Sequence, residues 1–520
     1  MRTRYTAVAL PPTPPPPTPR SPNARRGALT LMVGTLGSRV TGLLRGALFV
    51  QLFDTAVTDA FNVALRVPNL FRELLAEGAL TSAFVPAYKA LPRGEARRLA
   101  GALFSLLLVA NALLLLLAVW AAPGIVDLLV ADDAQIDVPL TVALTRAVFP
   151  LLGALSFSAL AMGILNAEER FFAPAWAPVA LNVVTTVLML AFPDRALTLS
   201  AAFVLGGVAQ LLVQLPPLVR AGLLPRFGVW GHPGLRGVLL LSVPFTFTTG
   251  ARQLLNLVSS RLLTGLQLGS VTAFANADLF LSLALGLFSI SPALAYYSRL
   301  AAQTREPEGF RATLSAGLGL ITFLSVPAGL LLSLYAGPVV VAVLDWLPLL
   351  GGGGMDAPLR ALSAAALAPL GLAVFPVGLS NLLIRTFYVR GSVRPPILIS
   401  VAYTGLSALL YAAFAPRYGV AGLSWGAALA GWVQVAALLV WVGRRERFGL
   451  AALARRISKV WLAALIAVPV GWTVAGAVPL PGGWGGAVLE LTLGGGMGII
   501  LYVALCVRLK VPEVGRLGRG

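Results

Sequence analysis

Residues 34–86 read GTLGSRVTGLLRGALFVQLFDTAVTDAFNVALRVPNLFRELLAEGALTSAFVP. Without its charges this stretch belongs to two apolar runs, 28–52 and 57–88, each long enough to cross about 30 Å of hydrocarbon as an α-helix. Set into them are Arg39, Arg45, Arg66 and Arg72, with Asp59, Glu73 and Glu77. A cation at bilayer depth costs about 3 kcal/mol on insertion scales, so such residues usually face a wet cavity and mark a substrate path. The ligand this path predicts is an anion.

The remainder of the chain agrees with the membrane reading. Of 520 residues, 58% are hydrophobic and 11% charged, more apolar surface than a water-soluble core can hide, so lipid is the solvent. The expected fold class is an all-α polytopic membrane protein of about fourteen transmembrane helices. Its apolar runs are continuous and rich in Leu and Ala instead of alternating over about ten residues, which excludes a β-barrel. A net charge of +19 raises nucleic acid as a partner. The basic residues fall in short loops instead of on one soluble face, however, and no nucleic-acid partner is expected.

Loop charge sets the orientation. After even-numbered runs come groups such as Lys89, Arg93, Arg97 and Arg98, or Arg444, Arg445 and Arg447. After odd-numbered runs come Asp54, then Asp127, Asp132, Asp133 and Asp137. The positive-inside rule puts the even loops and both termini in the cytoplasm. Cys506 is the only cysteine and His232 the only histidine, so neither an intrachain disulfide nor a cysteine-cluster metal site is available. His232 reads as a solvated loop residue.

Residues 1–26, with prolines from Pro11 to Pro19 and then Arg20, Arg25 and Arg26, read as a disordered cytoplasmic tail, not a signal peptide. The runs divide as six, six and two. The expected division is 27–226, 227–450 and 451–510, followed by a cytoplasmic tail at 511–520. Gly351 to Gly354 mark a flexible external connector.

At 100° per residue, Gly34, Ser38, Gly42 and Gly46 share an arc of about 120° that includes Arg45, with Arg39 just past its edge. Small residues at i, i+4 admit either a second helix or a ligand to the backbone. Arg66, Asn69 and Arg72 follow at i, i+3, i+6, with Pro68 placed to bend the helix among them. The guanidinium fork matches phosphate or carboxylate oxygens, so converging arginines suit a pyrophosphate. The plainer alternative is that Arg39 or Arg66 snorkels to the interface, or that Arg72 pairs with Asp59, Glu73 or Glu77 to hold helices together. Asp59 reads as structural before catalytic. Residues 165–174 end one run and begin another, and their charges, Glu168, Glu169 and Arg170, read as a solvated turn. Asp278 and Glu490 lie inside runs eight and fourteen, where a carboxylate is protonated or faces water, and they are the candidates for coupling protons or cations.

The segments Ser38-Arg39-Val40, Gly42-Leu43-Leu44-Arg45, Thr58-Asp59-Ala60-Phe61, Pro68-Asn69-Leu70-Phe71-Arg72 and Ala76-Glu77-Gly78-Ala79 resemble the MurJ/MviN family of lipid II flippases in the MOP exporter superfamily. Leu165-Asn166, Arg170-Phe171 and Gln214-Leu215-Pro216 add support. The resemblance implies two six-helix lobes related by pseudo-symmetry, a cavity with alternating access, and a groove for the polyprenyl tail on the last two helices. It also implies a bacterial cytoplasmic membrane, lipid II or a similar polyprenyl-pyrophosphate saccharide as cargo, membrane lipids and cell-wall synthesis machinery as partners, and no enzymatic activity. Carried over by position, Arg39, Arg45 and Arg72 are the substrate-phosphate arginines, with Asp59 and Glu77 beside them. No cofactor is expected; coupling to the membrane potential or to a monovalent cation stays open. The chain departs from the family at Gly46, Leu279 and Ser392, where an acid, an arginine and an aspartate are usual, and Arg252 or Arg261 is the candidate compensation. Rival readings are a MOP-type exporter of another polyprenyl-linked saccharide or of drugs, and a non-transporting scaffold.

Overall fold

A computed structural model describes residues 22–75, 79–193, 195–392, 394–446 and 449–517. Among the described residues all regular structure is helical. Helix α1 is Pro22–Leu52. α2 runs in three pieces, Thr55–Ala64, Arg66–Leu75 and Ala79–Ala90. Then come α3 (Arg93–Leu129), α4 (Val138–Ala167), α5 (Phe172–Ala191) and α6 (Ala196–Arg220). α7 is Pro233–Thr264, followed by α8 (Ser270–Ala302) and α9 (Pro307–Leu334). α10 is the pair Ala357–Gly371 and Val374–Val389, bent by 47°. α11 and α12 share Arg394–Glu446, and α13 (Leu450–Ala477) and α14 (Gly483–Arg508) complete the series. These stretches coincide with the fourteen runs read from hydropathy. At the N-terminal end Pro22, suited to the first helical position because it has no N–H to leave unpaired, opens α1 inside the expected tail.

The breaks have local causes. Pro68 cannot donate the N–H that would reach the Ala64 carbonyl, and α2 is interrupted at Leu65, one turn before the proline. Gly419 adopts φ 59° and ψ −142°, so the 53 residues from Arg394 to Glu446 are two helices. α8 and α14 each contain a π-turn, at Gly286–Ile290 and Leu491–Gly495. In the first, Ser291 Oγ donates to the Gly286 carbonyl at 2.9 Å, beside Pro292, which has no N–H to offer.

Among the described residues three buried clusters hold the bundle. The largest draws Ala47, Phe61 and Leu144 from the N-terminal half together with Val271, Leu367 and Leu423 from the C-terminal half. A second gathers Phe310, Leu318, Phe387, Val460 and Tyr502. A third, at the end carrying the arginine-rich loops, gathers Phe84, Leu99, Ile164 and Leu218 with Val238 of α7. Outward, Leu116, Trp120 and Ile500 are 70–80% exposed, as expected where the surrounding solvent is hydrocarbon.

Glycines set the closest approaches. A Cβ on Gly34 would meet the Ala175 carbonyl of α5, and one on Gly42 would meet the Asn182 side chain, whose Nδ2 donates to the Ser38 carbonyl at 2.9 Å. The small-residue stripe of α1 is therefore a helix contact. In the same way a Cβ on Gly471 of α13 would overlap the Gly494 carbonyl of α14.

Two loop expectations are corrected. The connector around Gly351 to Gly354 is tied down: buried Asp345 pairs with Arg360 and accepts the Met355 N–H at 2.8 Å, and Met355 is itself buried. Desolvation of Asp345 requires those partners, so the chain folds back onto it. His232 is not merely solvated. Its Nδ1 accepts the Gly234 N–H at 3.0 Å, capping α7, and its Nε2 lies 3.2 Å from Glu95 Oε2.

Candidate functional site

Arg39 and Arg66, from the first two runs, face α8. α1 and α8 run side by side in opposite senses: Arg39 lies on Gly286, and Gly46 packs on Leu279. Arg39 Nη1 donates to the Leu283 carbonyl at 3.4 Å. A methyl group on Gly286 would occupy the guanidinium's place, so the π-turn and its glycine make the seat for Arg39. Arg45 is about 9 Å further along α1 at 1.5 Å per residue. Its guanidinium lies over the Phe203 ring of α6, 4.9 Å from the centroid, a cation–π contact. Phe203 is buttressed edge-on by Phe61, centroids 4.8 Å apart.

Arg66, at the start of the second piece of α2, is within electrostatic range of Asp278 on α8 and Tyr411 on α11. Asp278 adjoins Leu279, the neighbour of Gly46, so Arg45, Arg66 and Asp278 share one level of the bundle. Asn69 follows one turn after Arg66 and is half-buried. The seam thus carries Arg39, Arg45 and Arg66, with Asp278 within electrostatic range of Arg66, and three guanidiniums to this one carboxylate suit an anion. The Arg72 side chain, Glu77 and the Arg252 side chain lie outside the described residues.

The opposite, acidic end is shut by hydrogen bonds between the halves. Asp59 is 1% exposed and accepts the Gly269 N–H at 2.7 Å and the Thr272 N–H at 2.8 Å, both at the head of α8. Gly269 has φ 93°, a conformation open to glycine, which turns its N–H toward the carboxylate. Thr272 Oγ1 bonds Thr58 Oγ1 at 3.1 Å and accepts from Asn62 Nδ2 at 3.0 Å. Gln51 Oε1 accepts the Leu347 N–H at 2.7 Å, and Thr55 bonds Asp356. Asp59 is therefore a capping group that accepts backbone N–H groups at the head of α8.

Arg261 belongs to this closure as well. It reaches Asp132 at 3.0 Å and the carbonyls of Asp127 and Val130 at 2.9 Å each. Those contacts hold it at the acidic end of α7, away from the seam, so it does not replace the arginine absent at Leu279. Glu490 is half-buried at the head of the α14 π-turn, near the Tyr335 hydroxyl. Phe203, Gly286, Leu283 and Tyr411 were not singled out in the sequence; Gly286 ahead of Ser291-Pro292 was the only local signal among them.

A family model described as "Lipid II flippase MurJ" matches residues 50–480. The "Lipid II flippase MurJ" of Burkholderia cenocepacia is 31% identical over 446 residues, 82% of this chain and 84% of that protein. The "Probable lipid II flippase MurJ" of Rhizobium tropici is 31% identical over 516 residues, 92% of each. A solved structure described as "Lipid II flippase MurJ, inward closed conformation" superposes with TM-score 0.77 at 19% identity, over 92% of this chain and 99% of that one. An inward-facing multidrug resistance MATE transporter of the MOP superfamily superposes with TM-score 0.66 at 15% identity, over 82% and 99%. These two structural likenesses establish the fold.

Proposed function

Since the chain belongs to the lipid II flippase MurJ family, its residues 50–480 matching the family model, we propose that it carries lipid II across the bacterial cytoplasmic membrane. The observation that carries the site reading is the α1–α8 seam, where Arg39, Arg45 and Arg66 gather in a chain only 11% charged. Three guanidiniums held inside an apolar bundle replace water around a pyrophosphate. Arg72 joins them by its place in the sequence. The cargo's polyprenyl tail stays in lipid, and α13 and α14 offer it a path.

On this reading the arginine-rich end faces the cytoplasm, in keeping with its excess of Lys and Arg. The acidic end, closed across Asp59 and α8, is the outer gate. Rocking of residues 27–226 against 227–450 about the α1–α8 seam opens one end as it shuts the other. An interior-negative potential drives an anionic cargo outward, by about 2.3 kcal/mol per charge moved through 100 mV.

The test is depletion and complementation. Cells depleted of the protein accumulate lipid-linked precursor on the inner leaflet, and normal outer-leaflet delivery in its absence ends the reading. Arg39→Ala and Arg45→Ala each fail to restore growth while reaching wild-type abundance in the membrane.

A further inference from the structure

A second cluster of arginines lies outside the seam. At the end of the bundle bearing the basic loops, a cavity of about 240 Å³ is lined by Tyr88, Arg93, Arg97, Glu168 and Arg170, floored by Ala221 and Leu223. Arg93 and Arg97 stand at i, i+4 on the first turns of α3, so both guanidiniums share one face, where like charges repel unless an anion lies between them. Arg170 comes from the turn linking α4 and α5. There Glu169 takes a left-handed φ of 58° and the Arg170 N–H bonds the Leu165 carbonyl at 2.8 Å, which presents the side chain to the cavity.

The charges do not cancel. Glu168, the cavity's one carboxylate, accepts the Tyr88 hydroxyl at 3.3 Å. Nearby ions are matched elsewhere: Lys89 with Glu169 at 3.7 Å, Arg98 with Glu95 at 3.3 Å. Among the described ion pairs none involves Arg93, Arg97 or Arg170. Three guanidiniums against one carboxylate leave a surplus of two positive charges. The volume holds about eight waters at roughly 30 Å³ each, room for a phosphate and part of the group that bears it.

We propose that this cavity binds a phosphate group, held by the forks of Arg93, Arg97 and Arg170. The inference concerns a site apart from the seam and stands whether or not the transport reading does. The phosphate belongs either to an anionic phospholipid headgroup or to a free phosphate.

Titration of the purified full-length protein separates these. The probes are inorganic phosphate added to protein in neutral detergent, and nanodiscs of phosphatidylcholine with or without phosphatidylglycerol, read by calorimetry and by native mass spectrometry. The wild type binds at least one probe, and the Arg93→Gln/Arg97→Gln double variant binds it at least tenfold more weakly, while Arg98→Gln, outside the cavity, does not. Binding of phosphatidylglycerol without competition from inorganic phosphate identifies a headgroup; saturation by inorganic phosphate alone identifies the free ion. Equal binding by wild type and double variant, or binding of neither probe, overturns the proposal. Should the double variant misfold, Glu168→Gln decides: removal of the competing carboxylate tightens binding severalfold, and unchanged or weaker binding overturns it.

Discussion

Replacing Asp59 by Asn tests the proposed outer gate with the least disturbance of shape. The carboxylate accepts two backbone N–H groups, at 2.7 and 2.8 Å, from Gly269 and Thr272 in the other half of the chain. Hydrogen bonds to a charged acceptor contribute about 1.5–3 kcal/mol each. Asparagine retains one acceptor oxygen and turns an NH2 toward the remaining N–H, so one bond is lost outright. Because these bonds span the halves, the loss falls on the closed arrangement of that end and not on either half by itself. At 1.4 kcal/mol per factor of ten, the variant shifts the population toward opening by roughly ten- to a hundredfold. Cys506 is the only cysteine and is buried, so a Cys506→Ala background accepts spin labels at Asp133 and Leu350, both exposed near that end. Double electron–electron resonance then shows a growing long-distance component in Asp59→Asn. An unchanged distance distribution in a folded, membrane-inserted variant refutes the gate.

Gly286→Ala places a methyl group where the Arg39 guanidinium rests. Overpacking of this kind costs about 1–3 kcal/mol, and moving Arg39 aside is the expected relief, so complementation falls to the level of Arg39→Ala. Wild-type growth and melting temperature in this variant argue against the seat. Glu513, 1% exposed, forms an ion pair with Arg456, whose Nη1 also donates to the Ser315 carbonyl at 3.1 Å. Glu513→Gln removes one partner of a buried pair, which costs about 3–5 kcal/mol, and it lowers the melting temperature in detergent by several degrees; an unshifted melting curve excludes a stabilising role.

The helices were legible because lipid imposes a simple code: long apolar runs, separated by loops whose charge alternates. The break inside Arg394–Glu446 at Gly419 lies close to the dip in hydropathy around Pro416 and Arg417. The identity of the seam arginines was also legible, since Arg39 and Arg45 interrupt a run that otherwise reads as hydrocarbon-facing. Their partners were not. Phe203, Leu283, Gly286 and Tyr411 reach them only through tertiary packing, and nothing in the local pattern around Phe203 marks it as the ring beneath a cation. The small-residue stripe admitted two readings, and Asn182 on α5 decides for helix packing. His232 was misread because its loop carries Gly231 and Pro233, the usual marks of a solvated turn, whereas the proline here opens α7 and the imidazole caps it. Arg261 was considered as compensation from its run alone, but its level within that run puts it among the loop carbonyls.

The contact between Gly471 and Gly494 governs how the last two helices behave as a unit. With backbone against backbone there is no layer of side chains to repack, so α13 cannot slide on α14 without breaking the fit along its length. The two travel as one plank. On the proposed reading a lipid chain resting on that plank is carried by whatever motion the plank makes, and the width of its berth is set by the plank's distance from the remainder of the bundle, not by any parting of the pair.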